Sequence, residues 1–392
     1  MSRLLRGKDY VRLGVLAAGV LVLSWLAWEH TTALLHTQPL GIDFLPIWAA
    51  AHEAFAHPER VYDFVALTQV QIPLLADFHG LRPFVYPPSA LLAFAPLGLA
   101  PFWAANALWT VAGLAIIVAT MAGQVKSQRI LILTAMVLSP ASVLVMITGQ
   151  LTFVIAAMVV VGLLSLKTRP ILAGVLFGLA GSIKPQTLIL LPVAMIAIGQ
   201  WRVLVSAGVT AALAALASVA VFGLHAWLEW LAAVPRFEHF IMTTPGLQRG
   251  VITPTGLGVT LALDPGSLAT WRLLFAVGAV ALAWFVFRNT QDPARRLAAL
   301  LGGGLFISPY AMHYDAALLA PAAALMLTHR AAPRAWITAL AAGAVLCCAA
   351  IPHWGAAAVI LFVLMVALTR EDATAPALGV PAPQMARGES PA

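Results

Sequence analysis

Charge is what this sequence has least of. Charged residues occupy only 9% of its 392 positions, whereas hydrophobic residues occupy 61%. A soluble protein of this length carries about 25% charged residues, so a soluble fold is excluded. The apolar residues come in runs near the roughly 20 residues that a helix needs to cross a bilayer. The composition therefore predicts an all-α polytopic membrane protein.

Cysteine is almost absent too. Cys347 and Cys348 are the only two, and they are adjacent in an apolar run. Neighbouring cysteines cannot form a disulfide framework and lack the spacing of metal ligands, so we predict neither a metal nor a cofactor. The net charge of +7 is typical of basic cytoplasmic loops in membrane proteins. Nucleic acid is not an expected partner.

The hydropathy pattern predicts about twelve crossings. The predicted helical runs are 11–29, 101–122, 130–147, 151–166, 170–182, 186–199, 202–223, 271–288, 296–308, 315–329, 335–350 and 354–369. Several are short for a hydrocarbon core about 30 Å thick, so we expect irregular or broken spans among them. The run 88–99 is too short to cross and is predicted to be re-entrant or interfacial.

Basic residues predict the orientation. Of the 22 lysines and arginines, 16 fall on one side of the drafted spans, which puts both termini in the cytoplasm. Two long segments, 30–87 and 224–270, then lie outside. We expect amphipathic helices at Ile47–Phe55, at Val61–Leu75 and at the start of 224–270.

The chain is predicted to be a single transmembrane domain over 1–370. A disordered cytoplasmic tail is expected over 371–392, where alanine and proline dominate. The N-terminal apolar run has no small-residue cleavage site after it, which predicts an uncleaved signal anchor.

Ten of the fifteen acidic residues fall on the outer side, and none lies in the middle of a drafted span. An ion-coupled transporter usually places ionisable groups near the midplane. The distribution instead indicates chemistry at the outer membrane surface.

Several outer turns join a polar residue to a proline or glycine. The clusters are Asp43, Tyr86-Pro87-Pro88, Gly149-Gln150, Ser182-Ile183-Lys184-Pro185-Gln186 and Ser308-Pro309-Tyr310-Ala311-Met312-His313-Tyr314-Asp315. Exposed backbone at membrane depth is tolerated only where protein or a wet cavity surrounds it. Breaks at one level therefore predict a shared cavity, whose candidate lining residues include Tyr86, Tyr310 and Asp315.

The other polar residues each have a structural and a functional interpretation. Lys184 is either a lysine snorkelling at a helix end or a contact for an anionic phosphate. His313 is either a satisfied interfacial histidine or a second donor to the same anion. Arg249 is either a solvated loop residue or a weaker phosphate contact.

Gln150 and Gln186 could cap helix ends or bind hydroxyl groups. Asp43 could be the N-cap of a helix starting at Phe44, with Pro46 early in that helix, or a catalytic acid. The two roles do not exclude each other.

The motifs together resemble glycosyltransferase family 87, over about residues 40–320. The ordered set is Gly41-Ile42-Asp43-Phe44, Val61-Tyr62, Phe84-Val85-Tyr86-Pro87-Pro88, Thr148-Gly149-Gln150, Ile183-Lys184-Pro185-Gln186 and Ser308-Pro309. The resemblance implies a GT-C-type fold, a polyprenyl-phosphate sugar donor, often mannose, and a periplasmic active site. It also implies that Asp43 is the base and that Lys184 and Gln186 belong to the family's K-x-Q turn. Tyr310 follows Ser308-Pro309 where the family often has tryptophan, which departs from the pattern.

That chemistry suits the residues present. A sugar on a lipid phosphate already has a good leaving group, so one carboxylate that deprotonates the acceptor hydroxyl suffices. A single displacement inverts the anomeric centre, whereas a glycosidase needs a carboxylate pair at a set distance. No D-x-D pair occurs to chelate a metal.

We therefore predict an inverting hexosyltransferase in a bacterial inner membrane, acting on a lipid or glycan acceptor among membrane lipids. Its donor-phosphate contacts would be Lys184, His313 and Arg249. Its sugar or acceptor contacts would be Gln150, Gln186, Tyr86, Tyr310 and Asp315. The alternatives are a transporter or flippase of lipid-linked sugars, which would place polar residues in both leaflets, and a non-enzymatic scaffold.

Overall fold

A computed structural model describes residues 40–75, 80–126, 128–244, 246–328, 342–347 and 354–368, with eight isolated positions between 18 and 32. Within these ranges the secondary structure is helical. The only β-type pairing among them is an isolated bridge between Val251 and Met312. The all-α class predicted from composition is confirmed for this part of the chain.

Short helices form the segment before the first long helix. They are α1 Leu45–Glu53, a 3-10 helix Pro58–Arg60, α2 Phe64–Gln71, a 3-10 helix Ile72–Leu74, α3 Pro88–Phe94 and a 3-10 helix Ala95–Leu99. Helices therefore lie at both positions predicted for this loop, with different bounds, and their amphipathic character stays a prediction. The run 88–99 is too short to cross, as predicted.

The middle of the chain contains longer helices. They are α4 Phe102–Ala122, α5 Arg129–Val137, α6 Pro140–Thr148, α7 Thr152–Ser165, α8 Pro170–Ile183, a 3-10 helix Pro185–Leu188, α9 Leu191–Ala197 and α10 Trp201–Thr243. The predicted run 130–147 is bent by 55° between α5 and α6. Pro140 explains the bend, because proline cannot continue a preceding helix.

The last elements are equally broken. They are a 3-10 helix Gln248–Gly250, α11 Pro254–Thr260, α12 Pro265–Asn289, α13 Pro293–Leu297, a π-helical turn Ala298–Gly302, α14 Gly303–Ile307, a 3-10 helix His313–Leu319, α15 Ala320–Thr328 and α16 Gly355–Leu368. The predicted helix 296–308 thus contains a π-helical turn.

In the described ranges, α4, α10 and α12 are long and apolar enough to cross a membrane, and the bent pair α5–α6 would add a fourth crossing. The number twelve is therefore not confirmed. The predicted spans 11–29 and 335–350 lie largely outside the described residues, as does the tail 371–392.

The surface of the long helices is apolar. Leu108 on α4, Leu213 and Leu216 on α10, and Leu273 and Leu274 on α12 are each more than 60% exposed. Rows of exposed leucines on helices of this length are what lipid contact requires. The helices thus present a membrane face outside and a packed core inside.

Helix α10 contains a break near the end of the predicted span 202–223. Gly223 has φ 81° and ψ 160°, which interrupts the helical conformation. Only glycine adopts this backbone readily. The break lies at the end of the predicted span 202–223, before the predicted interfacial helix, so α10 covers both predicted segments.

Glycines allow α8 and α10 to pack closely. A Cβ atom on Gly174 would lie 1.7 Å from the Oγ atom of Ser206, and one on Gly178 would lie 2.6 Å from the carbonyl oxygen of Ala207. Small residues at such positions let two helices approach closely, and Gly174 and Gly178 both do so here. Gly181 is different, since its nearest neighbour beyond the helix is Leu188 at 4.0 Å.

Candidate active site

The loop before α1 is fastened to the C-terminal end of α6. The N–H of Gly41 donates to the carbonyl of Ile147 at 2.7 Å, and the N–H groups of Asp43 and Phe44 both donate to the carbonyl of Thr148 at 2.9 and 3.0 Å. A helix end leaves its last carbonyls without intrahelical partners. The loop satisfies them, and this brings the Gly41–Phe44 and Thr148–Gln150 motifs together.

Two glycines permit that contact. Gly41 and Gly149 both have φ 74°, a left-handed conformation that disfavours other residues. The Asn106 side chain on α4 fills the space beside them: a Cβ atom on either glycine would lie 2.6 Å from it. Both the backbone conformation and the lack of space for a Cβ atom therefore require glycine at each position. The contact that the two glycines permit positions Asp43.

The Asp43 side chain does not cap α1. The N-cap residue is Phe44, which has helical φ and ψ and makes no side-chain cap bond, so the capping interpretation is wrong. Pro46 does stand in the first turn, as expected. The carboxylate points instead towards Arg82, with Oδ1 3.4 Å from Nη1 of the guanidinium.

Burial dominates the electrostatics of Asp43. Only 22% of its side-chain surface is exposed. Burial raises the pKa of the Asp43 carboxyl above its usual value, although Arg82 and hydrogen bonds with Gln150 and Thr148 lower it. A carboxylate with a raised pKa is a stronger base than a free aspartate.

Two tyrosines face this carboxylate. They are Tyr86 and Tyr314, whose phenols interact with the charge of Asp43. The Tyr86 hydroxyl donates to the Oε1 atom of Gln150 at 3.3 Å, and the Tyr62 hydroxyl donates to the carbonyl of Tyr86 at 2.9 Å. Gln150 therefore bridges Tyr86 and Asp43. Phenol and amide groups beside a partly exposed carboxylate can form hydrogen bonds with sugar hydroxyls.

Lys184 and Asp315 form a buried ion pair. They are only 7% and 3% exposed, and the Lys184 ammonium contacts Oδ1 of Asp315. The other carboxylate oxygen accepts the N–H of Met312 at 3.0 Å. Lys184 is therefore not a snorkelling lysine, because its charge points into the protein rather than to the interface.

This ion pair belongs to the same cluster as Asp43. The charge on Asp315 contributes to the raised pKa of Asp43 and to that of Tyr86. Lys184 also lies 5.9 Å from the centre of the Tyr314 ring. The polar helix breaks therefore meet in one cluster of residues that lie far apart in the chain, and the shared cavity stays a prediction.

The last motif is joined to the second long loop. The N–H of Ile252 donates to the carbonyl of Ala311 at 2.8 Å, and the Tyr310 and Phe237 rings lie 5.1 Å apart edge to face. Trp230 donates through its indole N–H to the carbonyl of Val85 at 3.0 Å. Residues 224–270 therefore connect the Tyr310–Asp315 stretch with the Tyr86 motif.

Three predicted residues make no described contact with Asp43. His313 follows Met312 in the same turn and lies against Gly250, where a Cβ atom would approach its ring to 2.6 Å. Arg249 is exposed on the neighbouring 3-10 helix. Gln186 is half-buried on the turn after Lys184. Their predicted binding roles stay predictions.

Two residues at the site were missing from the prediction. Arg82 contacts the Asp43 carboxylate, and Tyr314 lies beside Lys184. Arg82 precedes the Phe84–Pro88 motif by two residues in a chain with few charges, which was a usable signal. Tyr314 lies within the Ser308–Asp315 cluster of polar residues, but it was not predicted to be a site residue.

Comparison with known proteins identifies the family. The sequence model of glycosyltransferase family 87 matches residues 84–309, more than half of the 392 positions. The chain belongs to glycosyltransferase family 87. This membership favours an enzyme over a transporter or a scaffold and confirms the resemblance drawn from the motifs.

A curated relative is the polyprenol-phosphate-mannose-dependent alpha-(1-2)-phosphatidylinositol pentamannoside mannosyltransferase of Mycolicibacterium smegmatis. It is 32% identical over 124 residues, which cover 31% of this chain and 26% of the relative. The aligned segment thus spans about a quarter of that protein. No solved structure matches.

The segment matched to glycosyltransferase family 87 ends short of part of the site. It contains Tyr86, Gln150 and Lys184 but stops before Tyr310 and begins after Asp43. The three-dimensional contacts supply that connection. They place Asp43 and Asp315 beside residues of the family segment.

Proposed function

We propose that this membrane glycosyltransferase moves a hexose, specifically mannose, from a polyprenyl phosphate to a hydroxyl of a lipid or glycan acceptor, with Asp43 as general base. The observation that carries the proposal is the Asp43 carboxylate itself. It is 22% exposed, lies 3.4 Å from a guanidinium and shares its surroundings with a buried lysine. A carboxylate, a guanidinium and an ammonium in one cluster suit a reaction in which the carboxylate takes a proton beside an anionic leaving group.

Asp43 rather than Asp315 is the base. Both oxygens of Asp315 have partners, Lys184 and the N–H of Met312, and its side chain is only 4% exposed. Asp43 retains accessible surface and a raised pKa. With Asp315 held in an ion pair, one carboxylate is available for chemistry, and this favours inversion by a single displacement.

In that displacement the acceptor oxygen forms a bond to the anomeric carbon while the bond from that carbon to the phosphate oxygen breaks. The electron pair leaves with the polyprenyl phosphate, and the acceptor proton passes to Asp43. No general acid is needed, because the phosphate is stable as an anion. Lys184 would contact it: an ammonium has three N–H donors, enough for Asp315 and a phosphate oxygen.

The donor and sugar are proposed from the relative, whose name specifies polyprenol-phosphate-mannose and a phosphatidylinositol mannoside. Gln150, Gln186, Tyr86 and Tyr310 would hold sugar or acceptor hydroxyls. We place the site at the periplasmic face of the inner membrane, within a GT-C-type fold whose shorter helices complete the crossings. The predominance of basic residues on the opposite side supports this orientation.

A transfer assay tests the proposal. Purified protein in lipid vesicles is given radiolabelled polyprenyl-phosphate mannose and an acceptor lipid extract, and labelled product is measured. Asp43→Asn should lower the rate by about 10²- to 10⁴-fold, the usual contribution of a general base, while donor binding persists.

The matched control is Asp63→Asn. Asp63 lies in the same loop and caps α2 through bonds to the N–H groups of Val65 and Ala66, a role that asparagine fulfils equally well. Near-normal transfer by Asp43→Asn would remove Asp43 as the base. Movement of the donor across vesicles without any product would instead identify a flippase.

A further inference from the structure

Arg82 occupies a constructed position on the segment between α2 and α3. Its own N–H donates to the hydroxyl of Thr68 at 3.0 Å, and its carbonyl accepts from the amide of Gln71 at 2.8 Å. Thr68 and Gln71 are only 7% and 0% exposed. Burying a polar side chain is unfavourable unless it finds partners. Two buried polar side chains of helix α2 therefore hold the backbone N–H and carbonyl of Arg82.

The chain that follows Arg82 is held in the same way. The carbonyl of Val85 accepts from Trp230 at 3.0 Å, and that of Tyr86 accepts from Tyr62 at 2.9 Å. Side chains from three separate parts of the sequence thus fix the backbone of residues 82–86. An irregular segment with so many supports presents its side chains in defined directions.

The Arg82 side chain is more buried than those of Arg60 and Arg272, two other arginines that form ion pairs. It is 14% exposed, and its partner Asp43 is 22% exposed. The side chains of Arg60 and Arg272, paired with Glu53 and Glu238, are each 42% exposed. Exposed pairs contribute little, whereas a guanidinium in a largely dry site acts strongly on the charge beside it.

We propose that Arg82 is a positioning residue for the reaction: it keeps the Asp43 carboxylate ionised and oriented towards the acceptor hydroxyl. The inference rests on the proposed role of Asp43 as base. A base must be ionised before it can take a proton, and burial opposes ionisation. Arg82 places a positive charge 3.4 Å from the carboxylate, and the bonds to its backbone fix the point from which the side chain extends.

Other groups around Asp43 do not replace Arg82. Asp315 is negative and raises the pKa of Asp43, and Lys184 beyond it is already paired with Asp315. Tyr86 and Tyr314 also face Asp43, and burial together with the charges of Asp43 and Asp315 raises their pKa values, so the phenols stay neutral. Gln150 and Thr148 are polar but uncharged. Loss of Arg82 leaves Asp43 facing neutral and negative groups.

The pH dependence of transfer tests the inference in purified full-length protein. Activity requires ionised Asp43, so in the wild type it falls as pH drops through a raised pKa. Removing an opposite charge at this range raises a carboxyl pKa by about 1–3 units. In Arg82→Gln, the acid limb of kcat/KM should move to higher pH by that amount, and activity should partly recover in alkaline buffer.

Two further variants complete the test. Arg82→Lys retains a charge without the planar fork, so the acid limb should stay near the wild-type position while kcat falls. Arg272→Gln, which removes an exposed arginine from a pair of similar length, should leave the profile unchanged. If Arg82→Gln does not accumulate, Arg82→Lys still tests the proposal. An acid limb that moves in Arg82→Lys by the full amount expected for an uncharged side chain contradicts the proposal.

Each outcome separates the two proposals. An inactive Asp43→Asn together with an unshifted limb in Arg82→Gln overturns the role of Arg82 alone. A uniform loss of rate at every pH assigns Arg82 a structural role or a direct donor contact, and again overturns it. An active Asp43→Asn removes the base itself, and the role of Arg82 is refuted with it.

Discussion

The Lys184–Asp315 ion pair gives a quantitative prediction for stability. Lys184→Met removes the ammonium and keeps a side chain of similar length, which leaves the Asp315 carboxylate 3% exposed with the Met312 N–H as its described donor. Breaking a buried pair by removing one partner costs about 3–5 kcal/mol. The paired substitution Lys184→Met with Asp315→Leu removes both charges, so we expect it to recover most of that loss.

Denaturant unfolding of the purified protein measures both values. The single variant should lose about 3–5 kcal/mol, and the double variant should lie within about 1–2 kcal/mol of the wild type, since replacing both charges by apolar groups is often nearly neutral. Both variants should bind polyprenyl phosphate weakly, because both lack Lys184. A single variant less than about 1 kcal/mol below the wild type, or a double variant as unstable as the single, would refute the reasoning.

Two further outcomes follow from the site. Gly149→Ala should destabilise the protein and reduce transfer, because its Cβ atom would lie 2.6 Å from both Asn106 and Phe44. The control Gly199→Ala, at φ 65° with open space around it, should lose only the conformational cost of about 1–2 kcal/mol. Equal losses of unfolding free energy in the two variants would argue against the packing role. Tyr86→Phe removes the hydroxyl that donates to Gln150, so kcat should fall severalfold with a stability change of about 1 kcal/mol; unchanged kinetics would exclude that hydroxyl from the site.

Local rules explain why so much of the helix pattern was readable. Prolines stand in the first turn of α6, α8, α12 and other helices, where their missing N–H is harmless and their φ is already helical. Asp264 caps α12 through the N–H groups of Gly266 and Ser267. Such starts depend on neighbouring residues alone and are visible in a single sequence.

The same rules misled at Asp43. An aspartate one residue before a proline-containing helix is a good capping candidate, yet its carboxylate contacts Arg82 instead. That partner lies 39 residues away in sequence. A buried cation decides the direction of a carboxylate more strongly than a single N–H at a helix start, and no local pattern contains that information.

Composition and the order of motifs determined the membrane class, the helical fold and the family, because hydrophobic run length, proline position and motif order are properties of contiguous residues. The tertiary structure alone decided which partner each of two acids has. It paired Lys184 with Asp315 and left Asp43 beside Arg82. Charges separated by many residues in sequence choose partners by distance and burial, and these exist only once the helices have packed.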